Sequence, residues 1–304
     1  MNNNKRKIRG VIYTLVGGTC WGFSGACGQA LFTQGVNSAW LTAVRMISAG
    51  IILLSISLIK DRKKTISIWK NRNDSIRLIL FAILGLMLCQ YTYLTAISHS
   101  NAAIATVLQY LGPVFIMIYV CIRNLKLPKI REVISILLAV LGTFLLATHG
   151  SIENMVLTKE GLIWGISAAV GVMLYTLLPT GIISKWGSLV VTGYGMLIGG
   201  AFLGILIQVW NIEVSLDMKS ILKVIAIVIV GTVIAFTLYL QGVSDIGAVK
   251  ASLISSVEPI SAVLFSVFWL GTSFVFIDLV GFICIMGTIF LLTKDEKNKN
   301  TIHN

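Results

Sequence analysis

Residues 244–269 read SDIGAVKASLISSVEPISAVLFSVFW and place Glu258 and Pro259 half-way along an apolar run long enough to cross a membrane. A carboxylate at mid-bilayer costs about 2.5–3.5 kcal/mol on insertion scales, and a proline leaves a carbonyl of the preceding turn without its usual donor. Both are therefore expected to face protein or a wet cavity rather than lipid. The stretch has an earlier twin. Shifted back by 146 positions it falls on SHSNAAIATVLQYLGPVFIMIYVC, residues 98–121, where Pro113 matches Pro259, Ala105 matches Ala251, Ala102 matches Ala248 and Ser98 matches Ser244. The same offset lays Gly85, Tyr93 and Leu94 on Gly231, Tyr239 and Leu240, giving seven identities over residues 85–113 without a gap. A duplicated chain is the expectation.

Composition names the solvent. Of the 304 residues 56% are apolar and 12% charged, with a mean hydropathy of +0.90, which excludes an ordinary soluble protein. The net charge of +12 does not point to nucleic acid, because the basic residues lie in short clusters between apolar runs, where they orient a chain in a membrane. The five cysteines, Cys20, Cys27, Cys89, Cys121 and Cys284, are odd in number, form no C-x-x-C pair and read as small apolar residues. The run after Lys5, Arg6, Lys7 and Arg9 imitates a secretory signal, and Ser24, Gly25, Ala26 and Cys27 loosely imitate a lipoprotein cleavage site. Its length, the serine three before Cys27 and the nine runs that follow favour a retained first span.

Ten spans are expected, at about 10–31, 38–59, 76–97, 101–122, 131–149, 160–183, 188–210, 221–242, 246–269 and 273–293. Five fall before the midpoint and five after it. An odd number makes the second half enter from the opposite side, so the duplication becomes an inverted repeat. The fold expected is an all-α polytopic membrane protein with a basic cytoplasmic tail at 1–9, five-helix repeats at 10–150 and 159–293, and a cytoplasmic tail at 294–304. Loop charge agrees. With the amino terminus inside, cytoplasmic Lys and Arg number four before the first span, seven in 60–77, four in 123–131, one at Lys185 and three after 293, nineteen in all. The outer loops carry only Lys159, Lys219 and Lys223. The longest polar link, DRKKTISIWKNRNDSI at 60–75, reads as a cytoplasmic loop against anionic lipid. Small-x-x-x-small glycines such as Gly18 and Gly22, and Gly195 and Gly199, suit close helix packing or a backbone exposed on a substrate path.

Trp21-Gly22 in the first span, Ala102 to Pro113, Ala248 to Pro259, and the glycine-bearing LLAVLGTFLLA (137–147) and GFICIMGTIFLL (281–292) together resemble the EamA-like branch of the drug/metabolite transporter superfamily. Each motif is made of common membrane residues; their repetition in order, over residues 10–293, carries the resemblance. It implies a central cavity between the repeats, alternating access, and mostly export of amino acids or other small metabolites. Two positions depart from the family pattern, which often has a glutamate about thirteen residues after each proline. Here they are Lys126 and Thr272.

Glu258 is the leading candidate for proton coupling, with a hydrogen bond to a neighbouring helix or to the backbone loosened by Pro259, and direct substrate contact, as its other readings. Lys250 lies two turns before it on the same face and suits snorkelling better than binding. Arg45, seven residues into the second span, can hold a substrate carboxylate, pair with a buried acid such as Glu258, or snorkel. Gln109, Ala105 and Ala102 form a small or polar stripe on the fourth span, and Ser255, Ser252, Ala251 and Ala248 form one on the ninth, facing either helices or a ligand. Trp21, Gln90, Tyr91, Tyr93, Tyr175 and Tyr239 can wall a pocket, though each also serves as packing. Pro113 and Pro259 mark the helix breaks. His99 and Asp245 read as solvated loop residues.

No nucleotide loop of the form G-x-x-x-x-G-K-[ST], no H-E-x-x-H and no buried nucleophile-base set is present, so neither enzyme, metal nor cofactor is expected. The expected partners are a small-molecule substrate, protons and membrane lipids, with a homodimer left open. The sequence reading is thus a secondary carrier of the cytoplasmic membrane. An uptake permease or exchanger, and a non-transporting sensor or assembly module, are its alternatives.

Overall fold

The computed structural model describes residues 3–123, 125, 127–128, 130–149, 157–246, 251, 254–255 and 257–301. Among them every regular element is a helix. In chain order these are α1 (Asn3–Phe32), α2 (Ser38–Ser67), α3 (Arg72–Leu80, continued through Phe81–Met87 into Leu88–Ser98), α4 (Ala102–Gln109), α5 (Gly112–Arg123) and α6 (Ile130–Thr148). The second half has α7 (Lys159–Leu177), α8 (Thr180–Trp186), α9 (Ser188–Leu206), α10 (Met218–Val228, Ile229–Ile234 and Ala235–Ile246 in one run), α11 (Val257–Phe268) and α12 (Phe276–Thr301). Six helices among the described residues are long and apolar enough to cross a membrane, and Val133–Leu146, Val257–Phe268 and Phe276–Gly287 are shorter apolar stretches. Apolar side chains cover the outside. Leu137, Val140, Leu141 and Phe144, one stripe of α6, are all exposed, as are Ile205, Leu206, Phe268 and Ile283, an arrangement suited to lipid.

Short polar side chains start the helices. Asn37 accepts from the N–H groups of Ala39 and Trp40, Asn101 from Ile104 at 2.9 Å, Thr158 from Gly161 at 3.0 Å and Asp217 from Ser220 at 2.8 Å. The basic residues 5–9 are the first turns of α1 rather than a loose tail. The link at 60–75 is also mostly helical. Asp61 leaves helical geometry at φ −155°, and its carboxylate accepts from Lys64 N at 2.9 Å, which caps the next turn.

Glycine contacts fix which helices touch and in which sense. A methyl group on Gly50 would lie 2.5 Å from Leu197 N, and one on Gly200 would lie 2.8 Å from Ile47 N, so α2 and α9 press backbone to backbone. As numbering rises along α2 it falls along α9. The same antiparallel register joins α1 to α10 (Gly10 on Ile246, Gly17 on Tyr239, Ser24 on Gly231), α3 to α7 (Gly85 on Tyr175, Cys89 on Gly171) and α6 to α12 (Gly142 on Gly281).

Two irregularities repeat. The stretches Phe81–Met87 in α3 and Ile229–Ile234 in α10 are wound as wide π turns, and each contains one of the matched glycines, Gly85 and Gly231. Helix α4 ends at Gln109 and α5 begins at Gly112, so the chain breaks just before Pro113, whose ring cannot sit behind a continuous helix. In the second half Ile254 and Ser255 are already helical, and α11 carries Pro259 from Val257 to Phe268, with residue 256 outside the described residues.

At the helix ends the sequence reading needs a correction. Asp245 is not solvated: its carboxylate is 1% exposed, accepts from Arg9 Nε and Nη2 at 2.8 and 2.9 Å, and also receives Arg6 Nε at 3.2 Å. Gly10 makes this closeness available, since any side chain there would strike Asp245 and Ile246. His99 is exposed as expected. Asp74 accepts from Lys185 Nζ at 2.6 Å and Trp186 Nε1 at 2.9 Å, and His149 Nε2 stands 2.9 Å from Asp278 Oδ1.

Candidate functional site

The break after Gln109 and the start of α11 meet at one point. Pro259 has no N–H to give the carbonyl of Ser255, four residues back. That carbonyl instead accepts from the Tyr110 hydroxyl at 3.1 Å. The same hydroxyl lies 3.1 Å from Glu258 Oε2, and its single hydrogen is shared between the two oxygens, so one side chain from the first half reaches both the costly carboxylate and the freed carbonyl of the second. Glu258 and Tyr110 each keep part of their surface accessible, and Glu258 Oε1 takes no protein hydrogen bond among the described residues. Helix α1 comes close because Gly22 has no side chain: a methyl there would lie 2.8 Å from Glu258 O and from Ala262 N.

Aromatic residues stand around this point. The Trp21 ring lies 5.1 Å from Phe236 and 5.1 Å from Tyr239, and a methyl on Gly18 of the same helix would lie 3.2 Å from Ser255 O. Trp21, Tyr239, Ser255 and Glu258 are thus brought together. Tyr93 turns instead to Thr106, hydroxyl to hydroxyl at 2.8 Å, and packs on Gly25. Tyr175 stacks on Phe81 at 5.9 Å, Tyr91 packs edge-on to Trp164, and the Gln109 amide reaches Cys89 Sγ at 3.6 Å. These four serve packing more than a pocket wall.

Arg45 does not pair with Glu258. Its Nε donates to Thr232 Oγ1 at 2.8 Å and its Nη2 reaches Gly231 O at 3.5 Å, a carbonyl turned outward by the wide turn of α10. Thr232 Oγ1 in turn donates to Ile227 O at 2.9 Å. Gln90 is 7% exposed and makes no hydrogen bond to protein among the described residues. Of the stripes, Ala102, Ala105, Ala251 and Ser255 are buried, whereas Ala248, Ser252, Lys250 and Lys126 lie outside the described residues.

Tyr110, Thr232 and Gly231 were not legible as site residues. A tyrosine or threonine in an apolar span is ordinary, and only the break beside Pro113 and the repeated glycine at position 231 hinted at either place.

The sequence pattern of the EamA-like transporter family matches residues 8–148 and again residues 159–294. The chain belongs to that family. Among its relatives, the uncharacterized inner membrane transporter YicL of Salmonella typhimurium is 35% identical over 292 residues, covering 96% of this chain and 97% of its own. The uncharacterized transporter YcbK of Bacillus subtilis is 23% identical over 303 residues, covering 95% and 93%. A solved crystal structure superposes with a TM-score of 0.63 at 18% identity, over 94% of this chain and 98% of the other, which shows a shared fold. As an EamA-like transporter the protein is a multi-pass membrane protein that binds a small-molecule substrate.

Proposed function

We propose that this EamA-like protein is a secondary carrier of the cytoplasmic membrane that exports amino acids or similar small metabolites by alternating access, with return of the empty carrier driven by protons on Glu258. Its ten spans form two five-helix repeats, 10–150 and 159–293, of opposite orientation, with both termini cytoplasmic. The observation that carries the reading is the Tyr110–Glu258–Ser255 junction. There, two proline-bearing spans from different halves meet at an acid that has part of its surface open. An acid placed between two halves can be occluded from either side as they rock, and it can bind a proton on one side and release it on the other.

Three features support the inverted arrangement. The helices that match at an offset of 146, such as α2 with α9, run antiparallel where they touch. The wide turns recur at the matched glycines. The family pattern occurs twice, once in each half.

The test is transport into inside-out vesicles under an imposed pH gradient, with labelled amino acids. The native protein is expected to give pH-driven uptake. Glu258→Gln keeps the hydrogen-bonding shape without the charge, so it is expected to insert normally and lose the pH-driven component. Undiminished pH-driven flux in that variant would reject the role of Glu258.

A further inference from the structure

Arg45 is 4% exposed, and no carboxylate lies within ion-pairing distance of it among the described residues. A guanidinium cannot lose its charge in a protein and carries five N–H donors, of which the contacts to Thr232 and Gly231 use two. The remaining donors have no protein acceptor. Among the described residues the side-chain polar atoms both inaccessible and without a hydrogen bond include Ser24 Oγ and Ser266 Oγ, but not Arg45 Nη1 or either end of the Gln90 amide. Each of these last keeps a little accessible surface.

Met46 Cε and Met87 Cβ both approach Gly199, so α2 and α3 come together on α9 one residue after Arg45 and three residues before Gln90. Thr232 fixes the guanidinium from behind through Nε, leaving the Nη edge presented. A guanidinium edge offers two parallel N–H groups, a fork that matches the two oxygens of one carboxylate.

We propose that the Nη edge of Arg45, together with the Gln90 amide, is a docking subsite for the carboxylate of a solute that bears one carboxylate, separate from the Glu258 junction. The assignment rests on the carrier reading and adds to it the group by which the solute is recognised. Neutral amides of the same shape are rejected, because they leave the guanidinium without an anion and set an NH2 group against its donors.

The experiment uses the full chain in proteoliposomes. Counterflow of labelled L-lactate and L-alanine is compared with that of lactamide and L-alaninamide, and binding of the same four is followed in detergent by the fluorescence of the seven tryptophans. The acids are expected to bind and exchange saturably and the amides to compete at least about tenfold more weakly. Arg45→Lys keeps the charge but loses the fork, and Gln90→Ala removes a side chain with no protein bond to lose, so both are expected to raise KM for the acids, with the melting temperature near native for Gln90→Ala and lowered for Arg45→Lys, which gives up the bond to Thr232. Amides that compete as well as acids, or an unchanged KM in both variants, overturn the subsite. Transport of amides alone overturns it while the carrier reading stands; binding of acids without any exchange supports it while the carrier reading falls. Neither binding nor exchange of any of the four overturns both.

Discussion

Tyr110 bonds two acceptors that would otherwise stand unserved in an apolar bundle, the Ser255 carbonyl and Glu258 Oε2. Tyr110→Phe keeps the ring and removes the donor, so it is expected to destabilise the fold by about 1–3 kcal/mol, the cost of a buried acceptor left unpaired. A lowered melting temperature in detergent would register it; an unchanged one would mean that water replaces the hydroxyl. Asp245 behaves differently because it stands at a helix end. Its bonds to Arg9, with help from Arg6 and Gln241, hold its carboxyl down at about 2. A group depressed in the folded state contributes stability above its unfolded pKa, near 4, and loses it as pH falls through the folded value. The clamp should therefore weaken between about pH 4 and pH 2, and Asp245→Asn, melted over that range, should show a flatter acid limb than the native chain. At this scale the sequence was half legible. Glu258 and Pro259 stood out because lipid makes them costly. The partners of Asp245 lie 236 and 239 residues away in sequence, beyond any local pattern.

Among the helices, close approach is decided by what glycine omits. Gly50→Ala puts a methyl 2.5 Å from Leu197 N, a backbone atom that cannot swing aside, so α2 and α9 must part. A loss of about 1–3 kcal/mol is expected from the overpacking. Gly28→Ala is the control, since its methyl would meet Leu94 Cδ2 at 3.5 Å, an ordinary contact. That change is expected to be neutral or to stabilise by up to about 1 kcal/mol through helix propensity. Equal thermal shifts in the two variants would count against the packing described. The starts of the helices carry a signal that the reading by apolar runs did not use, the capping residues Asn37, Asn101, Thr158 and Asp217. The wide turns were not, because a π turn persists where tertiary partners such as Arg45 take up its carbonyls, and those partners come from another helix.

At the scale of the molecule, what the sequence carries best is repetition. A 146-residue offset and the placement of nineteen basic residues are properties of the whole chain, and neither depends on knowing a single contact. Which helices press together could not be read in that way, since α1 reaches across to α10, and α3 to α7, rather than staying within their own halves. That exchange ties the halves together and puts the Tyr110–Glu258 junction at their shared centre. The carrier reading depends on the halves facing opposite ways. The direct test is side-specific labelling of single cysteines at the ends of the matched helices α3 and α10, His99→Cys and Gln241→Cys, in a chain whose five native cysteines are replaced. In intact cells a membrane-impermeant maleimide is expected to label position 99 and spare position 241, with the pattern reversed in inside-out vesicles. Labelling of both from the same side would contradict the inverted halves and the alternating access built on them.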